Sequence, residues 1–389
     1  MDLLTFYTDL HVHIGSTYNG NPVKITASSN LTFSNIIHYA HEYKGIDMVG
    51  VIDAHSPEVL LEIDQLISQG QLIELAEGGV SNGEVTVLLG SEIEIYDHNC
   101  SGPIHVLCFL PSLEKMKEFS NWYQSYVKNP NLSSQRMYID AVSLQQKVRS
   151  MKGLFIPAHV FTPFKSLYGK GVKSSLTEVL NPELIDGVEL GLSSDTQMAE
   201  QVEELKNYTF LTNSDAHSLE KIGREYQSLK LLRPTFQELK KALYRFEGRE
   251  VIANYGMNPL LGKYYTTRCR ECDHSLPQYG KCDYCGSTKI IKGVKERISE
   301  LSNKQVTKNV DRPPYIHQVP LQYVPGIGPK TLEVLRSHLY HDMYIIHDAT
   351  YEEIKKLTNP AIARRIYDLR QGRLTVKPGG GGKYGQVID

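Results

Sequence analysis

No run of about eighteen apolar residues occurs in the sequence, which excludes a membrane-spanning helix of ordinary length. The first residues include Asp2 and no basic stretch, so no secretory leader is expected and the cytoplasm is the expected compartment. Cysteine is scarce, six in 389 residues, and four of the six crowd into one short interval. No Ser or Cys stands in a nucleophile-elbow pattern, so covalent catalysis of that type has no candidate. Charge of neither sign dominates. The formal net charge is −2, with 22% charged and 41% hydrophobic residues, the balance of a soluble globular protein. The length suffices for one large domain and smaller ones.

The charge that is present is unevenly placed. From Leu260 onward, 21 Lys and Arg face 13 Asp and Glu, a net of +8, and the residues before carry a net of −10. An acidic front suits a multi-metal site and a basic back suits a polyanion such as nucleic acid, although solvated surface gives the same bias.

The crowded cysteines are Cys269, Cys272, Cys282 and Cys285, two C-x2-C pairs separated by nine residues. Each pair can wrap a tight knuckle, and four thiolates complete the closed tetrahedral shell of one structural zinc ion. Asp273, Gln278 and Gly280 between the pairs fit a ribbon of two hairpins. Two disulfides would require an oxidising compartment that nothing else supports. Cys100 and Cys108, near the apolar run from Ile104 to Leu110, read as ordinary core or near-surface thiols.

At the other end, Leu3 to Tyr7 reads as a first strand leading into Asp9-Leu10-His11-Val12-His13. Residues two apart on a strand share a face, which predicts Asp9, His11 and His13 side by side as the start of a metal site. An HxH alone is weak, because paired histidines are often only polar surface. Its weight comes from recurrence. A helix from about Ser34 to Lys44 carries His38 and His41, read as surface, and the strand Met48 to Ile52 runs into Asp53-Ala54-His55. A helix is expected from about Glu58 to Glu77. The strand Val85 to Leu89 then leads to Glu92 and Glu94, and the strand Ile104 to Leu110 contains His105. Helical sequence from Leu113 to Ser150 precedes the strand Gly153 to Ile156 and His159. Asp186 to Leu190 is a strand holding Glu189, and Thr209 to Thr212 leads to Asp215-Ala216-His217. Strand, metal-type residue and helix repeat about seven times over some 245 residues. That alternation predicts parallel strands with functional residues at their C-terminal ends.

The set Asp9-x-His11-x-His13, Asp53-x-His55, Gly90-x-Glu92, His105, His159 and Asp215-x-His217 resembles the PHP (polymerase and histidinol phosphatase) family over about residues 1–248. The resemblance implies an α/β fold, a distorted seven-stranded β/α barrel with a phosphoesterase centre of two or three divalent ions (Zn, Mn, Mg or Fe). By position, His11, His13, His55, Glu92, His105, His159, Asp215 and His217 would be ligands, with Glu92 bridging two ions. Glu92, Asp215 and His159 would carry catalysis. Ile52-Asp53-Ala54-His55 departs from the usual Thr-Asp-His form, which leaves open whether Asp53 or His55 is the ligand. No clear further His follows His13, where some members supply one.

The back half narrows the substrate. A charged helical connector is expected over 291–312, with helix-like sequence from Ile291 to Lys308. After Pro313-Pro314 comes Pro325-Gly326-Ile327-Gly328-Pro329-Lys330, then an amphipathic run through Leu332, Leu335 and Leu339. This resembles a helix-hairpin-helix module, in which Gly326 and Gly328 let the turn approach a phosphate held by helix N–H groups and Lys330. A plain tight turn is the competing reading. Residues 351–373 read as a companion helical pair, with Arg364, Arg365, Arg370 and Arg373 as further phosphate candidates.

The expected organisation is a barrel (1–248), a linker (249–265), a small zinc ribbon (266–290), the connector, an α-helical helix-hairpin-helix-like domain (313–376) and a flexible Gly-rich tail (377–389). That order resembles the endonuclease Q family of DNA repair enzymes. It implies incision on the 5′ side of a damaged nucleotide, either a deaminated base (uracil, hypoxanthine, xanthine) or an abasic site. DNA would be the partner, and the chain would act as a monomer. Such a nucleotide must leave the stack to be read. The loop after His159 is the candidate pocket, with Phe161, Phe164 and Tyr168 against the base and Lys165 and Lys170 on phosphate; core packing of the aromatics is the alternative. A phosphatase of small phosphomonoesters and a non-catalytic DNA-binding adaptor are the competing functions.

Overall fold

The structure, a computed structural model, describes residues 2–276, 280–302, 311–379 and 383–388. Gln278, the end of the helix-like stretch up to Lys308, and Gly380 to Gly382 lie outside the described residues.

The first strand is longer than its apolar start. β1 (Leu4–Val12) carries Asp9 and His11 within it and is buried from Thr8 onward. α1 (Phe33–Tyr39) starts at Thr32, whose side chain accepts the Asn35 N–H, and the chain ends that segment at Gly45, φ +71. A Cβ at Gly45 would overlap the ring of His341, so two distant parts of the chain meet there. β2 (Met48–Val51) leads to α2 (Pro57–Ser68). That helix stops well short of Glu77: Gly70 turns left-handed at φ +71, and Ile73–Glu74 pairs with Val80–Ser81 instead. Then come β3 (Thr86–Ile95), β4 (Ile104–Leu110), α3 (Leu113–Tyr123), α4 (Ala141–Ser150), β5 (Leu154–Pro157), β6 (Val188–Glu189) and β7 (Phe210–Leu211).

The strands are not all parallel, contrary to the expectation from alternation. β1, β2 and β3 run parallel, but β4 is antiparallel to both β3 and β5. The cause is the short 96–103 connection, which makes a hairpin where a parallel crossover needs a helix. His105 therefore enters at the start of its strand, opposite Glu94, and still reaches the same end of the sheet as Glu92. Hydrogen bonding continues from β5 to β6 (Asp186 N to Phe155 O, 2.9 Å; Val160 N to Glu189 O, 3.0 Å), and β6 pairs with β7 in parallel. From there Ala216 bridges back to Val12 of β1, with His13 N donating to Ala216 O at 3.1 Å. One buried apolar cluster draws Leu10, Met48, Leu88, Leu107, Ile156 and Leu211 from six of these strands.

The sheet extends on the other side of β1. β8 (Tyr226–Leu231) pairs antiparallel with β1, α5 (Phe236–Leu243) follows, and β9 (Glu250–Gly256) pairs antiparallel with β8. Residues 250–256, expected as linker, are thus a strand whose Val251 and Ala253 are buried. The two short strands of the ribbon, Arg268–Cys269 and Ile290–Ile291, pair antiparallel and lead to α6 (Val294–Leu301). β10 (Tyr315–His317) returns to lie parallel to β9, so the back half contributes an edge to the front sheet.

Four helices follow: α7 (Pro329–Leu339), α8 (Asp342–His347), α9 (Tyr351–Leu357) and α10 (Pro360–Arg370). Gly326 takes φ +87 and Gly328 caps α7, but only a single 3₁₀ turn, Leu321–Tyr323, precedes this hairpin. Arg365 donates to Pro325 O at 3.1 Å, and Arg370 donates to the carbonyls of Ile345 and Ala349. These two arginines hold the bundle together, in contrast to the phosphate role expected of them. The two halves meet at a buried triad: Lys44 Nζ lies 3.0 Å from Asp342 Oδ2, and Arg336 donates to both Asp342 oxygens at 2.7 and 2.8 Å. The tail is also packed where described. Val376–Lys377 pairs with Gln386–Val387, and Gly385 N donates to Leu261 O at 2.9 Å. Among the described residues no helix is long and apolar enough to cross a membrane.

Candidate metal centre

Seven donor side chains converge at the strand ends. They fall into three overlapping groups, His11–His13–Glu92, His13–Asp215–His217 and Glu92–His105–His159, whose ligand atoms lie within 4.8 Å of one another. His11 Nε2 is 3.6 Å from Glu92 Oε1 and 3.4 Å from Asp215 Oδ1; His13 Nε2 is 3.6 Å from Glu92 Oε2 and 3.5 Å from Asp215 Oδ1. Donors bonded at about 2.1 Å around one ion sit roughly 3.4 Å apart in a tetrahedron, so these separations are those of ligands rather than of hydrogen bonds. Among the described residues, the Nε2 atoms of His11, His13, His55 and His105 are buried without a hydrogen-bond partner. Those of His11 and His13 face the shared carboxylates of Glu92 and Asp215, an arrangement that fits divalent ions, whereas His105 turns Nδ1 to Glu92 Oε1 at 2.7 Å. Glu92 belongs to two groups and His13 to two, which suits more than one ion.

His11 and His13 are held from behind by carboxylates. His11 Nδ1 lies 2.9 Å from Glu189 Oε1, and Glu189 also accepts Asn213 Nδ2 at 2.7 Å and the His159 N–H at 2.8 Å. His13 Nδ1 lies 3.0 Å from Asp53 Oδ2, which also accepts the Ile14 N–H at 2.8 Å. Such outer partners fix the tautomer and leave Nε2 free for metal. Burial alone would lift Asp53, but neighbouring His13 holds it down at about 2. Burial opposes charge on His11 too, yet Glu189 and Asp215 keep its pKa well above the ordinary value. His159 and Asp215 both adopt left-handed backbone, φ +32 and +47, strain of the kind that gathers at functional sites.

The ribbon is the second site. Cys269, Cys272, Cys282 and Cys285 are free thiols gathered into one group. Cys269 and Cys285 lie 3.5 Å apart and Cys272 and Cys282 3.6 Å apart, close to the roughly 3.8 Å edge of a tetrahedron with zinc–sulfur bonds of about 2.3 Å.

No protein-family model matches the chain. Bacillus subtilis YqxK is 53% identical over 382 residues, covering 98% of this chain and 98% of that protein. Among solved structures, the lesion-specific endonuclease PfuEndoQ from Pyrococcus furiosus matches with a TM-score of 0.85 at 29% identity, over 99% of this chain and 95% of that one. Endonuclease Q in complex with a 27-mer duplex substrate with an abasic lesion at the active site matches at 0.84 and 29%, over 99% and 96%. The chain belongs to the same family as YqxK, and its fold is that of endonuclease Q along nearly its whole length. With the donor clusters above, that likeness makes it a metal-dependent hydrolase.

In this endonuclease Q-type site, several expected residues stand elsewhere. Asp9 does not join the donors: a register irregularity after it breaks the strand alternation, and its carboxylate accepts the N–H groups of Ser214 (3.0 Å) and Gly223 (2.8 Å). Asp53 sits behind His13, and His55 lies outside the three groups. His55 Nδ1 is 2.8 Å from Ser91 Oγ, its ring packs on Tyr123, and burial pushes its pKa down to about 4. Phe161 and Tyr168 are 1% and 0% exposed and stack on each other, so they are core. Phe164, 46% exposed, stands at the mouth of a cavity of about 530 Å3 that also exposes the donors, with Tyr264 edge-on at 5.4 Å. Lys165 pairs with Glu94 at 2.8 Å beside that mouth.

Sequence reasoning missed three groups. Lys24 Nζ lies 3.2 Å from Glu92 Oε2 and 2.6 Å from Ser134 Oγ, and Ser134 itself donates to Glu92. A lone lysine in a loop offers no spacing to find it by. Glu189 was visible on its strand, and its position two residues after Gly187 carried no motif. Buried Arg224 donates to Ser214 O at 2.7 Å and to Asp215 O at 3.4 Å, and to the Tyr384 hydroxyl of the tail at 3.0 Å, bracing the turn that bears Asp215.

Proposed function

We propose that the chain hydrolyses the phosphodiester bond on the 5′ side of a damaged nucleotide in DNA, a deaminated base or an abasic site. The observation that carries this reading is the convergence of His13, Glu92, His105, His159, Asp215 and His217 at an open mouth, with buried His11 beside His13 and Glu92. It occurs in a chain aligned along nearly its whole length with an endonuclease Q bound to abasic duplex. Two or three divalent ions held there would lower the pKa of water and neutralise charge on the scissile phosphate. The chain's own part is positioning. Glu189 and Asp53 orient His11 and His13, Arg224 braces Asp215, and Lys24 adds a fixed positive charge beside Glu92. Glu92, Asp215 and His159 are the residues assigned to catalysis.

The hydrogen-bonded circuit of β1, β2, β3, β4, β5, β6, β7 and back to β1 supports reading the front region as a distorted seven-stranded barrel. Cys269, Cys272, Cys282 and Cys285 would hold one structural zinc in the ribbon. The Gly326–Gly328 turn with exposed Lys330 at the start of α7 is a helix-hairpin-helix-like contact to the DNA backbone. A damaged nucleotide turned out of the stack would meet Phe164 and Tyr264 at the mouth, with Lys165 and Lys170 nearby for phosphate. The cytoplasm is the compartment this reading requires.

The test is cleavage of end-labelled duplexes carrying an abasic site, uracil, hypoxanthine or no lesion, with manganese or magnesium and with chelator. A metal-dependent cut 5′ of the lesion is expected. Equal cutting of undamaged DNA would refute damage recognition, and turnover of small phosphomonoesters without any DNA cleavage would favour the phosphatase instead.

A further inference from the structure

Asp215 is held differently from His11 and His13. Its carboxylate faces only other donors, His11 at 3.4 Å, His13 at 3.5 Å and His217 at 3.5 Å, and among the described residues no side chain supports it from behind. Its place is set by the backbone of its turn, which Arg224 fixes. Arg224 is 4% exposed, and it donates from Nε to Ser214 O at 2.7 Å and from Nη2 to Asp215 O at 3.4 Å. The same Asp215 carbonyl lies 3.0 Å from His217 Nδ1, which leaves His217 Nε2 for an ion. One guanidinium therefore sets two donors.

A guanidinium is a rigid fork, so its position depends on all of its partners. The third partner of Arg224 is the Tyr384 hydroxyl, 3.0 Å from Nη1 and 160 residues further along the chain. It is the only side chain to hydrogen-bond Arg224 among the described residues. The tail is shaped to deliver it. Val376–Lys377 pairs with Gln386–Val387, and Gly379 N and Gly385 N donate to Leu260 O and Leu261 O at 2.6 and 2.9 Å. A Cβ at Gly385 would stand 2.2 Å from Lys377 O, so only glycine lets the two strands approach there. Lys263 Nζ lies over the Tyr384 ring, 4.5 Å from its centre. The tail adds little to the core beneath it. A cavity of about 400 Å3 separates Tyr384 and Val387 from Met257, Leu261, Val319 and Tyr323. Close packing is missing across that gap, and the hydroxyl contact with Arg224 is a tie to the donor turn that packing does not supply.

We infer that the C-terminal tail is a working part of the metal centre. Tyr384 is a positioning residue that holds Arg224, and through it Asp215 and His217, in the arrangement that binds a divalent ion. This rests on the metal-dependent reading of the site and extends the site to the tail.

Tyr384→Phe removes the hydroxyl and keeps the ring over Lys263. The full-length protein and this variant, each treated with chelator, are titrated with manganese in a calorimeter without DNA. Affinity is expected to fall about tenfold in the variant, the lower end of the range for partners behind a ligand. Loss of one hydrogen bond should leave Tm within about 2 °C of the native value. Cleavage of an abasic duplex is expected to fall at limiting manganese and to recover at saturating manganese, with duplex affinity unchanged. Val387→Ala loosens the same strand pair without removing a partner of Arg224, and it is expected to keep native manganese affinity. In an Arg224→Lys background, Tyr384→Phe is expected to add no further loss. Native manganese affinity in Tyr384→Phe, an equal loss in Val387→Ala, or additive losses with Arg224→Lys overturns the positioning role. If the unmodified chain cleaves no DNA while the manganese results hold, the DNA reading fails and the positioning role stands.

Discussion

The two candidate metal sites of this protein are assembled in opposite ways. The ribbon gathers its four thiols from an interval that ends sixteen residues after it begins, with tight knuckles supplying the geometry. The strand-end cluster gathers donors from His11 to His217, and His11 and His13 are oriented by Glu189 and Asp53 from other parts of the sheet. A local site is made by chain geometry and needs little around it. A dispersed site exists only if the whole sheet closes correctly and the outer partners lock each ring. The first suits a staple, and the second suits a centre whose donors must keep free coordinating atoms at an open mouth.

That difference can be broken from either side. Glu92→Ala removes the carboxylate common to two donor groups; lesion cleavage is expected to fall by roughly a thousandfold or more, with ribbon zinc retained, as judged by single-turnover rates and metal analysis. The junction between the halves comes next. Asp342→Ala leaves Lys44, only 2% exposed, without its partner, and denaturant unfolding should show a loss of about 3–5 kcal/mol. Glu189→Gln keeps the shape behind His11 but not the charge; metal titration should give affinity about 10–100-fold weaker, with no change at the four cysteines. The smallest effect is expected at Glu225, which burial lifts to about 8. Its folded pKa lies above the unfolded value of about 4.3, so its contribution to stability is fully present at acid pH and is lost as pH rises through about 8. Glu225→Gln can still accept the Met257 N–H and should raise Tm by about 2–4 °C at pH 9, with no gain at pH 5.

The same contrast explains what could be read in the sequence. The ribbon was legible because C-x2-C spacing is itself the geometry. His11, His13, Glu92, His105, His159, Asp215 and His217 were legible only through their recurrence after successive strands. Their supports were not: Glu189, Arg224 and Lys24 act across the sheet, where spacing along the chain says nothing. Asp53 and His55 look alike in sequence and part in space, since one faces His13 and the other Ser91. The reversal of β4 followed from a short connection that alternation of strands and helices does not weigh. Residues 250–256 read as linker by position, although Val251 and Ala253 alternate as a strand requires. The aromatic loop separated only in three dimensions, with Phe161 and Tyr168 in the core and Phe164 at the mouth.

The most direct test is to dialyse the purified protein against chelator and assay an abasic duplex before and after divalent metal is restored. Cleavage 5′ of the lesion should disappear and return for the native chain, and should never return for Glu92→Ala. Cleavage that persisted in chelator, or in the Glu92→Ala protein with its fold intact, would contradict a metal centre built on these donors.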